Sequence, residues 1–333
     1  MSRETLEWLN SNVLVGFTEK RGHAWHYRAG SDNHYVGAVP FADVESRLFG
    51  WEPTVNVLRC PCGCGNELKS VHRSDNRHRM GVFSDGYEPH SYRTWLLGAV
   101  SNILGDTLQI GSAGLLRAGA VAWVSVEVPD NVTTPEGVEF RPHLLATTSF
   151  DGSTATTYKR VTTLVVCDNT RDIALREDGQ SYKVKHTRNS AVKLADARAA
   201  LNMVHTTAED FAAEVAQLCA ITVTDNQWFK FLDEYAPVNA DDSKRSQTLA
   251  NTKREGLTAM YRHDRRASTW MGTAFGVVQA VDTYFQHEGT VRNVSRPERN
   301  MLNVISGKTS QEDSAALTAL RKVLGLNKVL AVV

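Results

Sequence analysis

Three cysteines crowd one short stretch, Cys60-Pro61-Cys62-Gly63-Cys64-Gly65, with His72 and His78 close behind. Thiolates and imidazoles are what a tetrahedral zinc site uses, so Cys60, Cys62, Cys64 and His72 make a four-ligand set, and a structural zinc is the cofactor this chain admits. The spacing argues the other way. Zinc knuckles separate paired cysteines by about two to four residues, and the single-residue gaps here make it hard for three thiolates to take corners of one tetrahedron. The alternative is a tight turn with reduced thiols. Pro61-Cys62-Gly63-Cys64 is also one residue short of the Pro-Cys-x-x-Cys of zinc deaminases, and no His-x-Glu precedes it.

A second grouping, Cys167, Asp168, Asn169 and His186, holds a thiol, an orienting amide and a base. Its simpler reading is a buried strand cysteine closing Leu164-Val165-Val166, then Asn169-Thr170 as a helix N-cap before Ile173-Ala174-Leu175. No Walker loop, no dinucleotide glycine pattern and no His-Glu-x-x-His occurs. No catalytic residue is assigned, and a cysteine- or zinc-dependent enzyme ranks third among the functions considered.

Basic and aromatic residues form a more coherent set. Arg73, Arg77 and Arg79 flank one turn, Tyr158, Lys159 and Arg160 open a strand, and Lys183, Lys185 and Arg188 follow. Grooves that hold single-stranded nucleic acid combine cations that track phosphates with rings that stack on bases. The bland alternative is a charged strand edge that discourages sheet-to-sheet pairing. Lys plus Arg and Asp plus Glu both number 37, so any basic surface is local rather than global.

The elements that must position these residues follow from length and periodicity. A chain of 333 residues with 42% hydrophobic content can bury a sizeable core in one large or two ordinary domains. No apolar run is long enough to span a bilayer and Met1-Ser2-Arg3-Glu4 lacks an apolar signal core, so a cytoplasmic protein without a membrane partner is expected. Five cysteines, an odd number, do not suit a secreted disulfide framework.

The first 58 residues read as an N-terminal subdomain with a short helix over 41–48. Strands are expected over 69–73 and 79–83, a helix over 92–104, and a strand over 120–128 with Ala122, Val124, Val126 and Val128 on its single buried face. The run 144–150, then Asp151-Gly152, then 158–167 predicts a hairpin with a tight turn. From residue 191 the period becomes helical: Leu194, Ala197, Leu201, Val204, Ala208, Phe211, Val215 and Leu218 form one stripe, with Thr206 and Glu209 as a capping box. Further helices are expected over 269–287 and 314–324.

The fold class is thus α+β: an antiparallel sheet with a packed helix and a β-hairpin over 59–190, and a helical C-terminal region over 191–333. Eight acidic residues against Lys230 lie between Thr206 and Asp242, and seven basic residues against Glu255 and Asp264 lie between Lys244 and Arg266. Opposite blocks of this kind can serve head-to-tail homo-oligomerisation, or simply cover solvated helix faces.

Several words in the chain resemble the phage/plasmid-like protein family of bacteriophages, plasmids and prophages, a domain-of-unknown-function family. They are Ala24-Trp25-His26, Arg73-Ser74-Asp75, Asp85-Gly86-Tyr87, Asp151-Gly152-Ser153, Val166-Cys167-Asp168-Asn169-Thr170, His186-Thr187, Gly272-Thr273-Ala274-Phe275-Gly276 and Tyr284-Phe285-Gln286-His287. The Cys60–Gly65 insert is outside that pattern. The order strand, strand, helix, strand, hairpin is similar to the core of Red-beta and Erf-type single-strand annealing proteins, which implies binding to single-stranded DNA and assembly into rings or filaments. The expectation is a phage-encoded DNA-binding protein acting in recombination or replication without nucleotide hydrolysis, with binding to a host protein as runner-up.

Overall fold

The computed structural model describes residues 12–20, 32–59, 62, 67–105, 108–128, 130–164, 170–171, 181–187 and 203–326. The chain is α+β and divides into two compact units. The first comprises 1–131, 142–161 and 180–206, and the second 132–141, 162–179 and 207–333.

The first unit opens with β1 (Val13–Val15), then helix α1 (Phe41–Asp43), which widens into a π-helical turn, Val44–Leu48. Strands β2 (Pro53–Arg59), β3 (Glu67–Arg73) and β4 (Arg79–Ser84) form a three-stranded antiparallel sheet in that order. Next comes α2, a π-helical stretch Arg93–Gly98 that ends as Ala99–Ser101. Then β5 (Gln109–Leu116), β6 (Val121–Glu127), β8 (Glu139–Ser149) and β9 (Thr156–Leu164) build the larger sheet, ordered β1-β5-β6-β8-β9, and β11 (Ser181–Val184) pairs with β9. Residues 139–141 of β8 and 162–164 of β9 count with the second unit, as do the strands that pair with them there, β7 (Val132–Thr133) and β10 (Thr170–Arg171). The core of this unit gathers Leu48, Phe49, Trp51, Val71, Leu96, Val100, Val124 and Phe150.

The strand over 120–128 is present, but it is buried on both faces rather than one. Glycines on β5 explain the second face. Gly114 lies opposite Trp123, and a Cβ there would fall 2.1 Å from the indole, so the missing side chain lets the ring lie down on the sheet. The hairpin also departs from expectation. Residues 150–155 separate β8 from β9, and only Gly152 has a positive φ, 75°. A two-residue type I′ turn needs both central residues there. Asp151 instead accepts from the Ser153 N–H at 2.8 Å and pairs with Arg117, also at 2.8 Å. Thr170 is no helix cap: it pairs with Thr163 in β10.

The second unit is mainly helical: α3 (Met203–Ala220), α4 (Asp225–Tyr235), α5 (Lys244–His263), α6 (Arg265–Ser268), α7 (Ala274–Thr283, continuing as a π-helical turn Tyr284–Glu288), α8 (Arg296–Ser306) and α9 (Lys308–Leu324). Helix α3 passes straight through Thr206 and Glu209, so no capping box breaks it, while residues 194–202 of the predicted stripe lie outside the described residues. Genuine caps stand at Thr224, where the capping box with Gln227 is complete, and at Thr273 and Ser295. Helix α7 is buried all round, as expected of a helix that others pack against. Around it sit Phe211, Trp228, Phe231, Tyr261, Leu317 and Leu320.

The opposite charge blocks meet inside this unit. Asp233 pairs with Arg254 at 2.8 Å and Asp225 with Arg262 at 2.9 Å, while Asp264 and Arg266 pair within the basic block. Arg254 and Arg262 are therefore engaged within their own chain.

Candidate functional site

The proposed nucleic-acid residues separate into buried and exposed sets. Arg73, Tyr158 and Lys159 are buried. The Tyr158 ring is in the core and its hydroxyl donates to the Trp95 carbonyl at 2.5 Å, so it offers no surface for a base. Arg160 is half-buried; Arg77, Arg79, Lys183 and Lys185 are exposed. Among the described residues Arg77, Arg79 and Lys183 form no ion pair, whereas Arg59, Lys69, Arg73, Arg93 and Arg117 each have a carboxylate partner. Arg188 lies outside the described residues.

Arg73 works inward. Its guanidinium chelates Asp75 at 2.9 and 2.6 Å, stacks 4.1 Å from the centre of the Trp51 ring and donates to the Ala118 carbonyl at 3.1 Å. That carbonyl sits in an unusual turn, because Arg117, Ala118 and Gly119 have consecutive positive φ values of 49, 56 and 93°. Left-handed backbone is costly for residues with a Cβ, and neighbours must hold it. Arg73 holds one carbonyl and the Tyr92 hydroxyl holds the next, donating to Gly119 at 2.8 Å. A Cβ at Gly119 would meet the Arg73 guanidinium at 2.4 Å, so glycine is needed for space as well as for φ. Arg73 draws the Asp75 carboxyl below the ordinary range through that hydrogen bond.

A second buried network joins residues far apart in sequence. Thr156 Oγ1 lies 2.6 Å from His90 Nδ1 and 2.8 Å from Thr148 Oγ1, which is 3.0 Å from His186 Nε2. His186 Nδ1 lies 2.9 Å from the Tyr87 hydroxyl, which donates to the Ser149 carbonyl at 3.3 Å. One direction of protons satisfies the chain: His90 Nδ1–H to Thr156, Thr156 to Thr148, Thr148 to His186 Nε2, then His186 Nδ1–H to Tyr87. That tautomer leaves only a lone pair at His90 Nε2, which is buried and unpartnered. The His90 ring is stacked between Trp95 at 3.6 Å and His186 at 4.0 Å.

Burial drives both imidazoles toward neutrality, His90 down to about 3 with a contribution from His186, and His186 down to about 4. A general base at neutral pH needs a pKa near 7. These two are poorly matched to proton transfer and well matched to locking β8, β9 and the segment after β11 in register. Strand pairing prepares this: Val184 pairs with Thr156, and Thr187 bridges to Tyr87. Thr148 and Thr156 are hard to read from sequence because polar residues on an inward strand face interrupt its apolar pattern, and His90 lies in the segment between β4 and α2, outside any strand. The available signal was parity, since Thr148 shares a face with Phe150 and Thr156 with Tyr158.

Of the zinc set, Cys60 and Cys64 lie outside the described residues and Cys62 is exposed. His72 has both ring nitrogens occupied, Nδ1 3.2 Å from the Arg77 carbonyl and Nε2 2.9 Å from the Ser70 hydroxyl. No group of three potential ligands occurs among the described residues. Cys167, Asp168 and Asn169 also lie outside them, and His186 belongs to the threonine–tyrosine network above.

No curated protein and no solved structure matches the chain. Residues 79–305, more than half of it, match the model of the family described as "Domain of unknown function (DUF932)", and the chain belongs to that family.

Proposed function

We propose that this chain is a phage-encoded single-stranded DNA-binding protein that pairs or protects strands in recombination or replication, without nucleotide hydrolysis, in the cytoplasm of the infected cell. The observation that carries the reading is the set of exposed cations, Arg77, Arg79, Lys183 and Lys185, the first three without an ion-pair partner among the described residues. Cations already neutralised by carboxylates have little to offer a phosphate, whereas free ones release counterions when a strand binds. Assembly of several subunits along the strand is part of the same proposal.

The test is a low-salt mobility shift with single-stranded, double-stranded and annealing substrates. Replacing the four residues together, as Arg77→Gly, Arg79→Ser, Lys183→Ala and Lys185→Ala, is expected to weaken single-strand binding. Equal binding by parent and variant at every salt concentration would overturn the reading.

A second reading, a non-enzymatic protein that binds a host protein, draws on the exposed aliphatic side chains Leu58, Leu68 and Val82 of the small sheet. Capture of a host protein, with no affinity for DNA, would favour it.

A further inference from the structure

Strand β2 is an edge of the three-stranded sheet, and from Thr54 to Arg59 every residue is exposed. Natural proteins blunt such edges with charge, proline, bulges or covering elements, because unpaired N–H and C=O groups template another strand. Here the sequence Pro53-Thr-Val-Asn-Val-Leu-Arg59 has its proline and its one charge at the two ends and nothing polar-charged between them.

The direction of the backbone groups follows from the pairing. Arg73 donates its N–H to the His78 carbonyl, on the β4 side of β3. Alternation then turns the N–H groups of His72, Ser70 and Leu68 toward β2. Their partners Thr54, Asn56 and Leu58 point back, so Val55, Val57 and Arg59 direct N–H and C=O outward, as does the Pro53 carbonyl. No backbone partner receives them among the described residues.

We infer that this edge pairs with the same edge of a second copy of the chain, antiparallel about a two-fold axis at Asn56. In that register Val55 faces Val57 of the second copy as a hydrogen-bonded pair, and Val57 faces its Val55. Arg59 N–H meets the Pro53 carbonyl of the second copy, so the proline lacks only a donor that the register leaves at its end. Asn56 faces Asn56 as a non-hydrogen-bonded pair. Val55 and Val57, 37% and 50% exposed, lie on one face with their counterparts and close a four-valine cluster.

Charge does not oppose the register. Each Arg59, paired with Glu67 of its own chain at 3.1 Å, comes to lie beside Pro53 of the other copy, and no like charges meet along the strand. A register shifted by one residue would match outward-facing groups with inward-facing ones, and a two-residue shift would leave valines uncovered. The two three-stranded sheets thus become one of six strands. The inference does not depend on DNA binding.

Light scattering of the unmodified protein over a concentration series tests it, with a mass of two chains expected at the high end. Val57→Pro removes one outward N–H without touching the pairing to β3, and Val57→Lys places a charge in the valine cluster. Both are expected to weaken association on the order of tenfold or more, with circular dichroism and melting unchanged. With Cys60, Cys62 and Cys64 replaced by serine, oxidised Asn56→Cys should cross-link two chains, and Thr54→Cys, which faces Leu58 of the second copy, should not. A monomer at every concentration, a dimer indifferent to both Val57 variants, or equal cross-linking at positions 54 and 56 would overturn it.

Discussion

Arg73 and Arg77 stand four residues apart and do opposite work. Arg73 is buried against Trp51 and holds the strained turn at Ala118, so Arg73→Ala is expected to cost roughly 2–4 kcal/mol, within the range for breaking a buried polar network. Arg77 is exposed with φ 61°, a conformation glycine adopts freely. Arg77→Gly should therefore change stability by less than about 1 kcal/mol while removing one of the exposed cations proposed to meet phosphate. Urea unfolding of the two variants checks the contrast, and equal losses would refute it. The histidine pair makes a separate prediction. Both folded-state pKa values lie below the ordinary 6.5, so the unfolded chain takes up protons first as pH falls. Stability is fully present above pH 6.5 and is lost as the pH drops toward about 4, the value for His186. Asp75 and Asp264, lowered by hydrogen bonds from Arg73 and Arg266, add their losses only below the ordinary carboxylate value of 3.8. Melting temperatures measured from neutral to mildly acidic pH should fall in the histidine window, and His90→Leu should flatten that fall. A flat profile down to the carboxylate range would exclude neutral buried histidines.

At the scale of elements, the most demanding packing is at the start of α7. Thr273 caps the helix by accepting the Gly276 N–H, and a Cβ at Gly276 would lie 2.1 Å from the Trp270 carbonyl oxygen. Backbone cannot yield as a flexible side chain does. Trp270 is itself fixed by its indole N–H, which donates to the Glu136 carbonyl at 3.1 Å. Gly276→Ala is expected to destabilise by about 2 kcal/mol or more despite alanine's better helix propensity, through overpacking. A neutral or stabilising result in thermal melts would mean that the turn before α7 can shift. The word Gly272-Thr273-Ala274-Phe275-Gly276 thus owes its composition to a cap, a buried helix and a close backbone approach.

For the molecule as a whole, equal numbers of acidic and basic residues leave no general attraction to nucleic acid. Binding through four exposed cations would release about 0.7 counterion each, so the logarithmic salt slope should be no steeper than about −3. A much steeper slope would require cations outside the proposed set. No helix among the described residues is long and apolar enough to cross a membrane. The proposed β2 edge is a route to association that does not use the acidic and basic blocks, two of whose charges on each side, Asp233–Arg254 and Asp225–Arg262, pair within the second unit.

Periodicity alone was enough to determine the α+β class, the strands at 69–73, 79–83 and 120–128, and the helical character of the C-terminal region, because buried faces impose a period of two or 3.6 on the side chains. The short helix at 41–48 and the helix ending at Leu324 were legible for the same reason. Helices α4, α5 and α8 were not singled out, since their many exposed polar positions dilute the apolar stripe. Which cations face solvent was beyond the sequence, for Arg73, Lys159 and Tyr158 carry the same local signals as Arg79 and Lys183. Only the pairing of β9 with β11, and the folding of Arg73 onto Trp51, decided that difference. The union of Tyr87, His90, Thr148, Thr156 and His186 was likewise decided by tertiary structure, because hydrogen bonds between residues up to 99 positions apart leave no mark on local spacing.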